Sequence, residues 1–261
     1  MPTVSDARGG ARADFNAEPV IRLENVAVRY TLPKERIATF KEYAIRRIQG
    51  QVDHRSFWAL RGVTFDVRRG EAMGIVGRNG AGKSTLLKVI ARVLRPTEGR
   101  VWVRGAVAPL LDVGAGFHPE LTGRENVFLN GTLLGFTRRQ MQAKFDRIVD
   151  FAELWGFIDS PLRTYSSGMV VRLGFAVATD VEPDVLLVDE VLAVGDEAFQ
   201  RKCEARMDGF RDHGAAILVV AHNAQRLRAL CQRGIWLEEG TVKAEGQADD
   251  VIEQYHQASL S

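Results

Sequence analysis

The stretch from Gly77 to Thr85 constrains this chain more than any other. Its residues, Gly-Arg-Asn-Gly-Ala-Gly-Lys-Ser-Thr, match the phosphate-binding pattern G-x-x-x-x-G-K-[ST] at every required position. The run Glu71–Val76 before it predicts a short buried strand, and the run Leu86–Leu94 after it predicts a helix. A strand, a glycine-rich loop and a helix in this order are the context that the pattern needs. The sequence therefore predicts a site for the phosphates of a nucleotide.

Each residue type in this loop has a physical task. Glycines let backbone N–H groups turn toward an anion, and the N-terminus of the following helix adds a partial positive charge. We expect Lys83 to reach the β- and γ-phosphates and the Ser84 hydroxyl to bind Mg²⁺. A chance match in a glycine-rich turn is the alternative, and the flanking strand and helix disfavour it. The predicted nucleotide-contacting residues are Gly77, Arg78, Asn79, Gly80, Ala81, Gly82, Lys83, Ser84 and Thr85.

Composition narrows the class of protein. With 46% hydrophobic and 26% charged residues, the 261-residue chain is typical of a soluble globular protein. A net charge of +2 gives no general case for nucleic-acid binding. The two cysteines, Cys203 and Cys231, lack metal-type spacing and fit a reducing compartment. Because the most apolar stretch, Ala215–Ala221, is too short to span a bilayer, we expect a cytoplasmic protein whose membrane role would need a partner.

Hydrophobic periodicity predicts the strands. Residues Val20–Tyr30 largely alternate apolar and polar side chains, which predicts a strand. Trp58–Val67 predicts another, and Arg100–Leu111 predicts one or two more. Fully apolar runs at Val185–Val188 and Ile217–Val220 are typical of a buried parallel sheet.

Other segments predict helices, a turn and an arm. Helical spacing dominates from Gly123 to Phe157, and Asp249–Gln257 predicts a closing helix. Glu238–Thr241 predicts a hairpin turn. Residues 1–18 lack periodicity and predict a mobile N-terminal arm. On the first of these helical stretches we expect five charged side chains to face solvent: Arg124, Glu125, Arg138, Arg139 and Lys144.

The segment Pro33–Gln49 predicts a basic amphipathic helix, with Thr31 as its cap and Pro33 in its first turn. Apolar residues recur on one helical face: Ile37, Phe40, Ala44 and Ile48. Residues 33–61 hold seven basic and three acidic side chains, a charge of +4. Such a helix could rest on an anionic membrane surface or on a partner's cytoplasmic face. Equally, it could pack on its own domain with the basic side in solvent.

Residues 184–190, Asp-Val-Leu-Leu-Val-Asp-Glu, predict a buried strand that ends in two acids. An acid at the carboxyl end of a parallel strand lies where ligands bind in such sheets. We expect Asp189 to hold Mg²⁺, usually through water. Glu190 would then orient or deprotonate the water that attacks the γ-phosphate. Alone, such a pair more often begins a polar loop, but a phosphate loop on the same chain favours the functional interpretation.

Two further features are weaker indications of phosphate binding. Tyr165–Met169 places two serines and a glycine before the helical run Val170–Thr179, which predicts either a second anion site or an ordinary helix cap. His222 follows the predicted strand Ile217–Val220 and could bond a γ-phosphate oxygen, although an isolated histidine is more often structural.

The combination resembles the nucleotide-binding subunit of ABC transporters, over about Val20 to Tyr255. The features that carry the resemblance are the phosphate loop, Tyr165–Met169, Asp184–Glu190, Asp196 and His222. It implies an ATPase that binds ATP with Mg²⁺ and works as a dimer. By this resemblance, Ser166, Ser167 and Gly168 form the signature that closes over ATP held by the other subunit. Asp196 links the two sites, and His222 is the switch histidine.

Three aromatic residues are candidates for stacking on adenine. Tyr30 is the best candidate in the resemblance. Phe57 and Trp58 are rivals, because the insertion after Tyr30 blurs the spacing.

Two departures from the family pattern point to one branch of it. The usual signature is Leu-Ser-Gly-Gly-Gln, whereas this chain has Tyr-Ser-Ser-Gly-Met at Tyr165–Met169. The family's glutamine loop would fall near Val113 or Gly114, yet no Gln occurs between Val101 and Leu129. With the stretches Gly114–Asn126 and Asp189–Asp196, these departures resemble the ATPase subunit of bacterial polysaccharide exporters. That branch moves O-antigen, capsule or teichoic-acid chains, and an insertion like Pro33–Gln49 lies there beside the channel entrance.

Some members of that branch carry an extra C-terminal carbohydrate-binding domain. This chain ends six residues after Tyr255, so we expect that such a domain is absent or has been removed.

The resemblance implies an α/β fold: a P-loop NTPase (RecA-like) core at about 19–111 and 181–261, with a mostly parallel sheet and an antiparallel β part. A helical subdomain is inserted at about 112–180. Two copies should pair head to tail at the cytoplasmic face of the inner (plasma) membrane, bound to integral-membrane channel subunits. They would act indirectly on a lipid-linked polysaccharide and not on nucleic acid.

Other functions stay open at this point. An importer would share the same motifs. A soluble ABC-type ATPase acting on nucleic acid or the ribosome usually carries a coiled-coil insertion or a tandem ATPase domain, and neither is apparent. A small-molecule kinase is disfavoured by the signature segment and His222.

Overall fold

The computed structural model describes residues 19–33, 54–111, 114–189, 196–220 and 224–260. The predicted arm at residues 1–18 and the predicted basic helix beyond Pro33 lie outside these ranges. The strands are β1 (Ile21–Pro33), β2 (His54–Val67), β3 (Ala72–Val76), β4 (Glu98–Val103), β5 (Val107–Leu110), β6 (Val185–Asp189), β7 (Ala216–Val220), β8 (Arg233–Glu238) and β9 (Thr241–Gln247). The helices are α1 (Lys83–Ile90), α2 (Gly123–Leu133), α3 (Arg138–Ala152), α4 (Ser167–Ala178), α5 (Glu197–Asp212), α6 (Ala224–Leu230) and α7 (Ala248–Leu260).

A six-stranded sheet forms the centre of the fold, in the order β5-β6-β7-β3-β8-β9. Neighbouring strands are parallel except β9, which pairs antiparallel with β8. Every residue of β3 and β7 is buried, because helices and a second sheet cover the two faces. This explains why their sequences are continuously apolar. The predicted α/β class with a mostly parallel sheet is confirmed.

The second sheet has three antiparallel strands in the order β2-β1-β4. The predicted segment Arg100–Leu111 forms two strands, and they belong to different sheets. Between them Gly105 has φ +81°, and a Cβ at this residue would lie 2.1 Å from Oδ2 of Asp184. Only glycine allows the chain to cross from one sheet to the other at this point.

Three hydrophobic clusters hold the layers together. The first lies between the antiparallel sheet, the central sheet and α1, and includes Val28, Leu60 and Leu86. The second lies on the opposite face of the central sheet under α5, α6 and α7. The third joins α2, α3 and α4 around Phe145. These three helices therefore have a core of their own, while the predicted subdomain limits at 112 and 180 stay a prediction.

The helices confirm one expectation and contradict another. The helical stretch predicted from Gly123 to Phe157 forms two helices, α2 and α3, and Gly135 in the turn between them has φ +88°. Lys144 does not face solvent freely: its ammonium donates to Oδ2 of Asp180 at 3.0 Å, and its side chain is 18% exposed. Asp180 lies 36 residues away, so local spacing gave no sign of this partner.

The predicted start of the basic helix is also wrong. Strand β1 continues through Pro33, and Thr31 pairs with Ser56 of β2. Thr31 is therefore a strand residue rather than a helix cap, and Pro33 does not occupy a first helical turn. Long cross-strand pairing has overridden the local capping signal.

Candidate functional site

The phosphate loop connects β3 to α1, as predicted. Lys83, the first residue of α1, is 8% exposed. Its ammonium donates to the carbonyl oxygens of Gly77 at 2.7 Å and Arg78 at 3.0 Å. The loop thus wraps around the lysine that is expected to meet phosphate. A buried ammonium needs such polar partners, since removing a charge from water is costly.

Two glycines of this loop cannot be replaced without a clash. A Cβ at Gly77 would lie 2.2 Å from the carbonyl oxygen of Leu237. Gly82 has φ +107°, and a Cβ there would lie 2.5 Å from the carbonyl oxygen of Ala59. Both contacts are with backbone, which cannot move as a side chain can. The glycines of the pattern therefore serve close packing of the loop against β8 and β2, besides their freedom to bind an anion.

Ser84 and Asp189 meet across the loop. The Ser84 hydroxyl donates to Oδ2 of Asp189 at 3.2 Å, although 105 residues separate them. Asp189 ends β6, so its carboxylate lies at the carboxyl edge of the central sheet, as expected for ligand binding. Within the described ranges, no group of three or more His, Cys, Asp or Glu side chains could hold a metal ion. A hydroxyl and one carboxylate are nevertheless the hard oxygen donors that Mg²⁺ takes together with substrate phosphates.

A cleft of about 710 Å³ joins the loop to an aromatic end. Residues that line it include Tyr30, Phe57, Trp58, Asn79, Gly80, Gly82, Lys83, Ser84, Thr85 and Asp189. At its aromatic end the rings of Tyr30 and Phe57 lie 5.6 Å apart. Trp58 also lines the cleft, but its ring lies 5.4 Å from the guanidinium of Arg29. Since neighbouring side chains on a strand point to opposite faces, Phe57 belongs with Tyr30 and Trp58 with Arg29.

The signature segment starts α4. The Ser166 hydroxyl caps the helix by accepting from the Met169 N–H at 3.2 Å. Ser166 and Ser167 are exposed, and a Cβ at Gly168 would have only Ser166 Oγ within 4 Å, at 3.9 Å. Tyr165, which stands where the family pattern has Leu, is buried and donates its hydroxyl to the carbonyl of Phe157 at 2.7 Å. Burial raises the pKa of this phenol. Tyr165 thus anchors the segment inside the third cluster.

Asp196 lies at the start of α5 and contacts α4 rather than the cleft. Its Oδ1 accepts from the Phe199 N–H at 2.9 Å, and its Oδ2 accepts from Arg172 at 2.6 Å. The hydrogen bond from Phe199 and the charge of Arg172 hold the pKa of Asp196 below its usual value. The structure therefore brings the phosphate loop together with Asp189 and Tyr30, and brings the signature helix together with Asp196.

Two functional candidates lie outside the described residues, Glu190 and His222. Their predicted roles stay predictions.

Asn126 is a residue that the sequence reasoning missed. It is fully buried on α2, accepts from the His118 N–H at 2.7 Å, and donates to the carbonyls of His118, Leu121 and Thr122 at 2.9–3.1 Å. It thereby fastens the loop that follows the expected glutamine-loop position. Its signal in the sequence is a polar residue beside Val127 on the buried face of a helix. Arg172 was also missed, and its signal is that it is the one charged residue in the run Met169–Thr179.

The cysteines have no part in the site. Cys203 and Cys231 are both buried, and burial raises the pKa of each thiol to about 12. A thiol that stays protonated near neutral pH is a poor nucleophile.

Comparison with known sequences places this geometry in context. Residues 60–193 match a family model described as "ABC transporter". The O-antigen export system ATP-binding protein RfbB of Klebsiella pneumoniae is 46% identical over 243 residues, which is 92% of this chain and 99% of that protein. The teichoic acids export ATP-binding protein TagH of Lactococcus lactis is 43% identical over 203 residues, 78% of this chain and 43% of that protein.

Solved structures agree on the fold. A dimeric, post-hydrolysis form of the ATP-binding cassette MJ0796 with ADP and Pi superposes with a TM-score of 0.68 at 23% identity, covering 87% of this chain and 98% of that one. An ATP-binding subunit of an ABC transporter gives a TM-score of 0.70 at 23% identity, covering 91% of this chain and 93% of that one. Within the ranges that the structure describes, none of the helices combines the length and apolar character needed to cross a bilayer.

Proposed function

This chain belongs to the ABC transporter family of ATPases, and we propose that it is the ATP-hydrolysing subunit of a polysaccharide exporter. Its cargo would be a lipid-linked glycan of the O-antigen, capsule or teichoic-acid type. The observation that carries the proposal is similarity over full length: an O-antigen export ATP-binding protein matches at 46% identity over 99% of its own residues. Motifs shared by all ABC ATPases would not distinguish cargo, but this extent of identity favours the same class of export.

The phosphate-loop side of the site has the groups that phosphoryl transfer needs. Lys83 would donate to the β- and γ-phosphates in place of its present carbonyl partners. Ser84 and Asp189 would hold Mg²⁺, which when bound neutralises charge on the phosphate oxygens. Glu190, next to Asp189 in the chain, would accept a proton from the attacking water, and His222 would contact the γ-phosphate. The last two roles come from the sequence alone.

The other side of the site would come from a second copy of the chain. Ser167 and Gly168 would close over ATP held by the partner's phosphate loop, with two copies paired head to tail. Support comes from the exposed hydroxyls of Ser166 and Ser167 at the positive end of α4, where an anion is stabilised. The Tyr30 ring, backed by Phe57, is the proposed platform for adenine.

The membrane partner would dock on the helices α2–α4 and the segments between them. Eight large hydrophobic side chains are exposed among the described residues, and five of them lie in this region: Leu129, Leu133, Leu134, Trp155 and Phe157. Exposed apolar side chains concentrated in one region mark a protein interface. This supports attachment through channel subunits, and we propose that the attachment is at the cytoplasmic face of the membrane.

Co-expression with candidate polysaccharide channel subunits tests the proposal. The wild-type chain should co-purify with its channel and hydrolyse ATP. Glu190→Gln should bind ATP and dimerise but lose turnover, because the water would lack its base. A wild-type chain that stays unassociated and unstimulated with every polysaccharide channel tried would contradict export. Near-normal hydrolysis by Glu190→Gln would instead remove Glu190 from the catalytic role and leave the export proposal standing.

A further inference from the structure

Arg172 joins three helices at one point. It lies on α4, five residues after Ser167, which places it about 7 Å further along the helix axis. Its side chain is 19% exposed. One terminal nitrogen donates to Oδ2 of Asp196 at 2.6 Å, and the other donates to Oε2 of Glu153 at 3.4 Å. Glu153 follows the last residue of α3, and Asp196 precedes the first residue of α5.

The Asp196 carboxylate connects two of these helices. One of its oxygens caps α5 through the Phe199 N–H, and the other accepts from Arg172 on α4. The cap alone would hold Asp196 at the start of α5. The bond to Arg172 therefore does something additional, because it ties the position of Asp196 to the position of α4.

Aromatic packing restricts how the guanidinium can move. It lies 5.0 Å from the centre of the Phe199 ring, and that ring packs edge-on against Phe151 of α3 and Phe175 of α4. A planar guanidinium held over a ring with two carboxylates at its edge has few alternative orientations. Lys202 of α5 also contacts Glu153, which extends the network on the α5 side.

We propose that Arg172 is a positioning residue that transmits movement of the signature helix to Asp196 in the same chain, and so couples the two ATP sites of the dimer. This inference rests on the proposed function, in which Ser167 and Gly168 contact the partner's ATP. When that contact draws α4 toward the partner, the guanidinium takes the Asp196 carboxylate with it. Asp196 caps α5, and Phe199 of that helix lies in the same hydrophobic cluster as Val188, the residue before Asp189 on β6, so the shift reaches the chain's own nucleotide site.

The test measures ATP hydrolysis by the full-length chain against ATP concentration, with the Hill coefficient as the main readout. Arg172→Gln removes the charge and the forked geometry, and Arg172→Lys keeps the charge. Arg124→Gln is the matched control. Arg124 also lies on this group of helices, donates to a carboxylate (Asp159, 2.7 Å) and covers an aromatic ring (Phe145, 4.5 Å), but it touches neither α4 nor α5 in these contacts. Thermal unfolding checks that each variant is folded.

The wild-type chain should show a Hill coefficient above 1. Arg172→Gln should lower it to 1 and weaken the apparent affinity for ATP about fivefold or more, which is the size of a typical coupling between binding sites. Arg172→Lys should fall between the two, and Arg124→Gln should match wild type. Asp196→Asn should repeat the loss, and the double variant should lose little more, because both changes break one contact.

Specific outcomes overturn the inference. A lower rate with an unchanged Hill coefficient in Arg172→Gln would mean a structural role only. If that variant does not fold, Arg172→Lys decides, and a wild-type Hill coefficient there counts against coupling. Active wild-type protein with a Hill coefficient of 1 would also contradict it. A wild-type chain that hydrolyses no ATP would refute the proposed function itself, which keeps the two failures distinct.

Discussion

The phosphate loop and the signature segment each place a glycine next to a helix start, but the two glycines have different surroundings. Gly82 has φ +107°, and a Cβ there would lie 2.5 Å from a backbone oxygen of β2. At Gly168, the nearest atom to an added Cβ is Ser166 Oγ, at 3.9 Å. The chain's own fold therefore requires glycine at 82 and has room for a side chain at 168.

This difference separates the part of the ATP site that one chain completes from the part that a second chain would complete. The phosphate loop is packed against β2 and β8, and its lysine is already held by loop carbonyls. The signature segment is anchored by the buried Tyr165, while Ser166 and Ser167 are exposed. A small residue with open space in front of it suits close approach of a partner's ligand. The comparison thus agrees with a site completed by two chains.

The largest effect should come from removing the loop lysine. Lys83→Ala should weaken ATP binding by the single chain by about 100-fold, or about 3 kcal/mol, because charge-assisted bonds to phosphate are lost. Titration calorimetry with ATP measures this. Lys88→Ala, an exposed lysine on the same helix, is the control and should bind as wild type. Equal ATP affinity in Lys83→Ala and wild type would contradict the assignment of this loop as the part of the ATP site that one chain completes.

A smaller effect should appear in stability at Gly82. Gly82→Ala should lower the free energy of unfolding by about 2 kcal/mol, through a left-handed backbone and a contact with the Ala59 carbonyl. Urea unfolding measures it. The matched control is Gly80→Ala, where φ is +81° but no atom lies within 4 Å of the added Cβ. It should cost about 1 kcal/mol, from backbone strain alone. Equal losses in both variants would show that the clash is relieved.

The smallest effect on stability should appear at Gly168, where the effect on activity is the informative one. Gly168→Ala should leave the free energy of unfolding unchanged or raise it by up to about 1 kcal/mol, since alanine favours a helix. ATP turnover should fall about tenfold, because the methyl group would enter the space proposed for the partner's nucleotide. Urea unfolding measures the effect on stability, and a steady-state ATPase assay on the same preparation measures the effect on turnover. Normal turnover would mean that the open space serves no ligand.

Local chemistry made much of the fold and site predictable. The strand–loop–helix around Lys83 and the apolar strand ending at Asp189 were predicted correctly, because residue types and short spacings specify them. Contacts across long sequence separations were not predicted. Lys144 bonds Asp180, 36 residues away, and Arg172 bonds Asp196, 24 residues away. Neither pair has a spacing that distinguishes it from many other pairs of opposite charge.

The helix cap expected at Thr31 failed for a related reason. A threonine two residues before a proline satisfies the local rule for a helix start, yet pairing with β2 extends the strand through Pro33. A helix cap is worth about 1 kcal/mol, so a ladder of several cross-strand pairs, each worth about 0.2–1 kcal/mol, outweighs it.

By itself, the sequence determined that the chain carries a phosphate loop, a strand with a terminal acid and a serine–glycine helix start, and their order indicated the family. Only the tertiary structure decided which of them share a surface. It placed Ser84 against Asp189, paired Tyr30 with Phe57, and joined Asp196 to α4 through Arg172. The reason is physical: motif chemistry depends on neighbours in the chain, whereas proximity between distant residues depends on how strands and helices pack.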